Sequence, residues 1–163
     1  MPARTGLALA LAALLLLGPV CATDPTTMEL ATYVNQEILR IAELEQKALY
    51  HYASVTGKNY TSVPAVVEAL REHVIPLYGR FHDMLMRIQP ETDEVRRIHR
   101  LFLIGSTHLL RGFEDKLIGL ETGEERVVRQ ANRMIELGRE ETELWRRELM
   151  ASMKEHGLRE EEP

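Results

Sequence analysis

The chain has almost none of the residues that support disulfides or thiolate metal sites. Its 163 residues include one cysteine, Cys21, and one tryptophan. A single cysteine excludes an internal disulfide, a zinc site built from several thiolates and a CxxCH haem attachment. Stability must therefore come from apolar packing, and the chain is long enough to form one domain with a sizeable core.

The sequence also lacks the short motifs that carry common chemistries. It has no Gly-rich phosphate loop, no HExxH, no GxSxG and no ExxH of the carboxylate-bridged di-iron proteins. The net charge is −5, and acidic and basic residues are interspersed without a basic stripe, which argues against nucleic acid and anionic membranes as partners. We therefore expect a protein that is not an enzyme and has no cofactor.

One long hydrophobic run is present, close to the start of the chain. It extends from Leu7 to Leu17 after a single charge at Arg4, and eleven apolar residues suit a signal-peptide core better than a membrane span. Small residues precede the next polar segment at Val20-Cys21-Ala22. The sequence therefore predicts a signal peptide over residues 1–22, with cleavage after Ala22 and export to the periplasm or the exterior.

Cys21 supports an alternative to free secretion. A lipid-modified cysteine at this distance from the apolar run would anchor the protein to a membrane. The residues before it, Gly18-Pro19-Val20, fit a lipoprotein signal poorly. Secretion is therefore preferred, and a membrane anchor through Cys21 remains the alternative.

Apolar spacing of three and four residues runs through the remaining chain, which predicts helices. Turn residues divide this pattern into helices at about 27–56, 63–89, 92–121 and 123–156. Similar lengths and short links predict an all-α fold, an antiparallel up-down-up-down four-helix bundle over residues 23–157 with an acidic tail at 158–163. The expected buried side of the second helix consists of Val63, Val67, Leu70, Val74, Leu77, Phe81, Met84 and Ile88.

Two capping boxes are expected at helix starts. Thr26 with Glu29 opens the first helix, and Thr122 with Glu125 opens the fourth.

Glycines recur every seven residues in the third helix, at Gly105, Gly112 and Gly119. Counting outward from the link between the last two helices places Gly105 level with Gly138, and Gly112 level with Ala131. Facing small residues allow two helix axes to approach closely. We therefore expect the third and fourth helices to form a tight pair.

The most unusual residue is Glu45, which lies on the apolar stripe between Ile41 and Ala48. A buried carboxylate needs a partner or a proton. Counting along the helices places His73 and His108 near its level. The pattern indicates either a structural polar pair or a metal site formed by Glu45, His73 and His108, since carboxylate and imidazole groups are common divalent-metal ligands.

The other histidines are assigned to different environments. His82 and His99 are expected on the surface. Met28 and His156 are expected at the same end of the bundle, which resembles the axial ligand pair of four-helix periplasmic b-type cytochromes. The basic cluster Arg96, Arg97, His99 and Arg100 is interpreted as a solvated helix face.

These observations favour an exported, non-enzymatic module that binds another protein or assembles through a helix face. The alternative is an extracytoplasmic metal or haem carrier that uses Glu45 with His73, or Met28 with His156.

Overall fold

The computed structural model describes residues 24–158, and over this range the chain is all-α with no strand. The predicted signal peptide at 1–22 and the acidic residues from 159 onward lie outside the described residues. The elements are α1 (Pro25–Thr32), a π-helical segment (Tyr33–Ile38), α2 (Leu39–Ser54), a 3₁₀ turn (Gly57–Asn59), α3 (Val63–Ala69), a second π-helical segment (Leu70–Val74), α4 (Ile75–Leu85), α5 (Asp93–Thr122) and α6 (Glu125–Glu155).

The helices pack around one core. The most extensive contact joins α5 to α6, and further contacts join α2 to α4, α4 to α5, and α1 to α5. Aromatic side chains fill the centre, and the Phe102 and Trp145 rings stack with centroids 3.8 Å apart. Between residues 24 and 158, no helix combines the length and apolarity that a membrane crossing requires.

The predicted close approach of the last two helices is confirmed. A Cβ built on Gly105 would lie 3.0 Å from the carbonyl oxygen of Gly138 and 2.9 Å from the backbone nitrogen of Thr142. A Cβ built on Gly112 would lie 3.2 Å from the carbonyl oxygen of Ala131. The backbones of α5 and α6 therefore touch at positions where only glycine fits.

The two π-helical segments change which residues face the core. Apart from Ala69, the buried positions from Val66 to Tyr78 recur every four residues, as Val66, Leu70, Val74 and Tyr78, because a π-helix has more residues per turn than an α-helix. The prediction of which residues form the buried side of the second helix is therefore wrong in part. Val63 is exposed, while Tyr78 and Leu85 are buried in place of Leu77 and Met84.

Both predicted capping boxes are wrong. The N-cap of α1 is Asp24 and that of α6 is Glu124, and neither accepts a side-chain hydrogen bond. Glu29 instead reaches the start of α5, where its carboxylate accepts the backbone N–H of Thr92 at 2.8 Å and also contacts the N–H of Glu91 and the hydroxyl of Thr92. The residue expected to cap its own helix therefore caps a different one.

Candidate functional site

Glu45 lies in the interior, as the sequence predicted. Its side chain projects from α2, and the residue is only 5% exposed. The Oε1 atom has no hydrogen-bond partner among residues 24–158, and burial raises the pKa of this carboxyl to about 7. Because a buried ionised carboxylate without a partner is costly, Glu45 is a site where the core can gain or lose a proton.

Tyr78 supplies a second unpartnered polar group from the facing helix α4. Its hydroxyl is fully buried and also lacks a hydrogen-bond partner. Burial, and after it the charge of Glu45, raises the pKa of this hydroxyl well above its usual range. Glu45 and Tyr78 therefore interact electrostatically inside the packed pair α2 and α4.

The two histidines proposed as partners of Glu45 are held elsewhere. His73 is exposed, and its ring stacks on that of His51 with centroids 4.3 Å apart. His108 is half-buried, and its Nδ1 lies 2.5 Å from Oε2 of Glu141 on α6. In the part of the chain that the structure describes, no three His, Cys, Asp or Glu side chains form a group that could hold a metal.

The interior instead contains the two histidines that were assigned to the surface, so that prediction is wrong. His82 is 8% exposed, and its Nδ1 lies 3.0 Å from the hydroxyl of Ser106. His99 is 4% exposed, and its Nδ1 lies 3.2 Å from the hydroxyl of Tyr33. Burial lowers the pKa of both imidazoles, that of His99 to about 4, so both are neutral near pH 7.

The sequence contains a signal for each buried histidine. His82 follows the buried Phe81 and lies four residues after Tyr78, while His99 follows the buried Ile98. Both therefore border an apolar stripe, where a polar residue faces the core if the stripe is more than one residue wide.

Met28 and His156, the other proposed ligand pair, are not joined. Met28 is exposed. The Nδ1 atom of His156 lies 2.9 Å from the hydroxyl of Thr27, and its Nε2 lies 3.3 Å from a carboxylate oxygen of Glu94. Glu94 also accepts the Ser152 hydroxyl at 2.5 Å. His156 therefore connects the ends of α1, α5 and α6 through hydrogen bonds on both ring nitrogens.

The pair α5 and α6 presents apolar side chains to solvent on one side. Leu137 and Leu144 are seven residues apart and so share one stripe of α6, with Glu141 between them. On α5, Ile104 lies one turn before His108. Since His108 and Glu141 meet across the two helices, these apolar side chains flank that contact. We call Ile104, Leu137 and Leu144 the outer face; they are 40%, 48% and 37% exposed.

Ion pairs border the outer face. Arg97 of the predicted basic cluster contacts Glu148 of α6 at 2.7 Å, and Arg96 contacts Asp93 at 2.5 Å. Arg96, Arg97 and Arg100 are exposed. Because Arg96 and Arg97 are already paired with carboxylates, the exposed apolar side chains are what distinguishes this surface.

No protein-family model, no curated protein and no solved structure gives a significant match to this chain.

Proposed function

We propose that this chain is an exported, non-enzymatic binding module that recognises a partner protein through the outer face of α5 and α6. The observation that carries the proposal is the exposure of Ile104, Leu137 and Leu144 around one contact between the two helices. Single exposed apolar residues are ordinary, whereas a group of them on a rigid surface is typical of an interaction site.

The glycine contacts between α5 and α6 support this assignment. The outer face lies on two long helices whose backbones touch at Gly105 and Gly138, so its side chains are held in a fixed arrangement. A surface that is already ordered loses little conformational freedom on binding, which favours affinity. The partner that fits best is an amphipathic helix, whose apolar stripe would cover the outer face while polar residues meet the bordering ion pairs.

The remaining parts of the proposal concern architecture and location. We infer that the four helical stretches, 25–54, 63–85, 93–122 and 125–155, form an antiparallel up-down-up-down bundle, which is supported by their short links and by the packing of α2 on α4, α4 on α5 and α5 on α6. Export rests on the apolar run Leu7–Leu17 and the small residues before Thr23. Anchoring through Cys21 is the alternative, and N-terminal sequencing of the exported form separates the two.

A site-specific cross-linking experiment tests the proposed surface. A photoreactive amino acid placed at Leu137 should capture a partner in the native host, whereas the same group at the exposed Asp83 of α4 should not. The captured protein is then purified, and its affinity is measured by calorimetry for the wild type, Leu144→Ser and the control Asp83→Ser. We expect Leu144→Ser to weaken binding by about 5- to 30-fold, since losing a buried apolar contact costs about 1–2 kcal/mol.

Three outcomes would contradict the proposal. Equal capture from Leu137 and Asp83 would show that the outer face is not the contact. An adduct consisting of two copies of this chain would show that the face serves self-association. If Leu144→Ser leaves the affinity unchanged, the outer face does not contribute to binding.

A further inference from the structure

Among residues 24–158, the contacting helices α2 and α4 contain two buried polar side-chain atoms without a hydrogen-bond partner. Oε1 of Glu45 on α2 and the hydroxyl of Tyr78 on α4 are both buried without a hydrogen-bond partner. A buried polar atom in this state is destabilising, because it has lost its hydrogen bonds to water. The interface between α2 and α4 therefore carries a desolvation cost that no hydrogen bond offsets.

Among residues 24–158, no neighbouring cation pairs with Glu45, and burial alone shifts its pKa. Lys116 of α5 donates a hydrogen bond of 2.7 Å to the hydroxyl of Tyr52, and Arg71 contacts Glu121 at the surface. Further titratable groups near α2 are also engaged elsewhere: Tyr33 bonds to His99, Glu37 pairs with Arg40, His73 stacks on His51, His82 bonds to Ser106, and Arg139 lies 5.9 Å from the centre of the Tyr52 ring. The exposed charged groups on these elements include Lys58, Glu68, Glu72, Arg80, Asp83, Arg111 and Glu114.

The two π-helical segments precede these polar groups. The segment Tyr33–Ile38 leads into α2, and Leu70–Val74 ends four residues before Tyr78. A π-helical turn interrupts regular backbone pairing and is frequent at functional sites. Both helical stretches that carry these two groups therefore contain a local departure from α-helical geometry. The continuous helices α5 and α6 also contain buried unpartnered atoms, Nε2 of His99 and Nε1 of Trp145, but neither of these belongs to an acidic group.

We propose that Glu45 and Tyr78 form a proton-operated latch between α2 and α4: a proton on Glu45 keeps these helices packed, and its loss admits water between them. An ionised Glu45 has no cation or donor to compensate its charge, so hydration of the interface is the available response. The continuous pair α5 and α6 lies outside the latch and stays packed. This device is independent of the outer face.

The direction of the pH effect follows from the preference of the packed state for the proton. The packed state binds the proton of Glu45 more tightly than the open state does, so packing is favoured at low pH and is lost as the pH rises through about 7. Taking an ordinary value of 4.5 for the open state, the opening equilibrium should rise on the order of 50-fold between pH 5 and pH 7.5.

Amide hydrogen exchange, followed by mass spectrometry and corrected for intrinsic rates, measures this opening. The experiment compares wild type with Glu45→Gln, which has no titrating group at this position, at pH 5 and pH 7.5. The matched control is Glu43→Gln, the same substitution at an exposed residue of α2. In peptides from α2 and α4, the wild type and the control should show the roughly 50-fold rise in opening between pH 5 and pH 7.5, and Glu45→Gln should not. Peptides from α5 and α6 should show no such rise in any of the three proteins.

Several results would overturn the latch. Equal pH dependence in wild type and Glu45→Gln would show that Glu45 does not control opening. An equal effect in α5 and α6 would show that the charge acts only on global unfolding. If Glu45→Gln fails to fold, carboxyl NMR of the wild type decides: titration of Glu45 near 7 supports the latch, and titration near 4.5 overturns it.

Discussion

The two halves of this molecule reach their packing by different means. In the second half, α5 and α6 are uninterrupted helices of 30 and 31 residues, joined along glycines that allow backbone contact. In the first half, each helical stretch is interrupted by a π-helical segment, and the contact between α2 and α4 contains the unpartnered Glu45 and Tyr78. Regular geometry with small residues brings the backbones of α5 and α6 into contact. Both halves bury polar groups, and His99 of α5 is one of them, but the first half is the one that buries a carboxyl, Glu45.

The largest expected effect tests the rigidity of the second half. A Cβ on Gly138 would lie 2.8 Å from the backbone nitrogen of Leu109 and 2.8 Å from the carbonyl oxygen of Gly105, so neither neighbour can move aside cheaply. We expect Gly138→Leu to lower the free energy of unfolding by about 3 kcal/mol, measured by urea denaturation.

Gly79 of α4 provides the matched control for this substitution. A Cβ on Gly79 meets nothing within 4 Å. Gly79→Ala should therefore leave stability unchanged or raise it by up to about 1 kcal/mol through helix propensity, whereas Gly138→Ala should lower it. Equal changes in the free energy of unfolding for Gly79→Ala and Gly138→Ala would show that the helices of the two halves do not differ in how closely they pack.

A smaller effect concerns the pH dependence of α5, which should oppose that of α2. Burial depresses the pKa of His99 to about 4, so its stabilising contribution is present above 6.5 and is lost as the pH falls from 6.5 towards 4. Between pH 7.5 and pH 5 the free energy of unfolding of the wild type should fall by about 2 kcal/mol relative to that of His99→Gln, since the opposite contribution from Glu45 is common to both proteins. The measurement is urea denaturation at both pH values. A variant that loses as much as the wild type would show that His99 is not kept neutral by the fold.

The smallest predicted effect concerns Glu29, which joins the two halves. From α1, its carboxylate accepts the backbone N–H groups of Glu91 and Thr92, which directly precede α5. Glu29→Gln should therefore destabilise the protein by about 1 kcal/mol. Glu37→Gln, which removes only a surface pair with Arg40, serves as the control and should change stability by less than about 0.5 kcal/mol. Thermal melts compare the two variants. A loss at Glu37 as large as that at Glu29 would contradict the cap.

Sequence reasoning succeeded where apolar spacing is regular, but it placed the buried His99 of α5 on the surface. The buried residues of α5 and α6, among them Phe102, Leu109 and Ile135, were predictable because apolar spacing stays regular in a continuous helix. The same regularity within α2 made the burial of Glu45 predictable. The backbone contact at Gly138 could also be predicted, since a short link between two long helices sets which residues are level.

The surroundings of Glu45 could not be predicted because the intervening π-helical turns leave no clear mark in the sequence. Each turn shifts the helix face, so counting at 3.6 residues per turn placed His73 near Glu45 and left Tyr78 off the buried side. In the structure, His73 is exposed beside His51 and Tyr78 is buried. The cap from Glu29 was missed for another reason: it joins residues 63 positions apart, beyond any local pattern.

The close pairing of α5 and α6 has a consequence for the order of folding. These helices are adjacent in the chain and are connected through Gly123, which adopts the left-handed conformation with φ of 72°. Contacts between neighbours in sequence form quickly, because little chain entropy is lost in closing a short loop. The α5–α6 hairpin is therefore expected to act as the folding nucleus, and the docking of α1 through Glu29 is expected to be a late event.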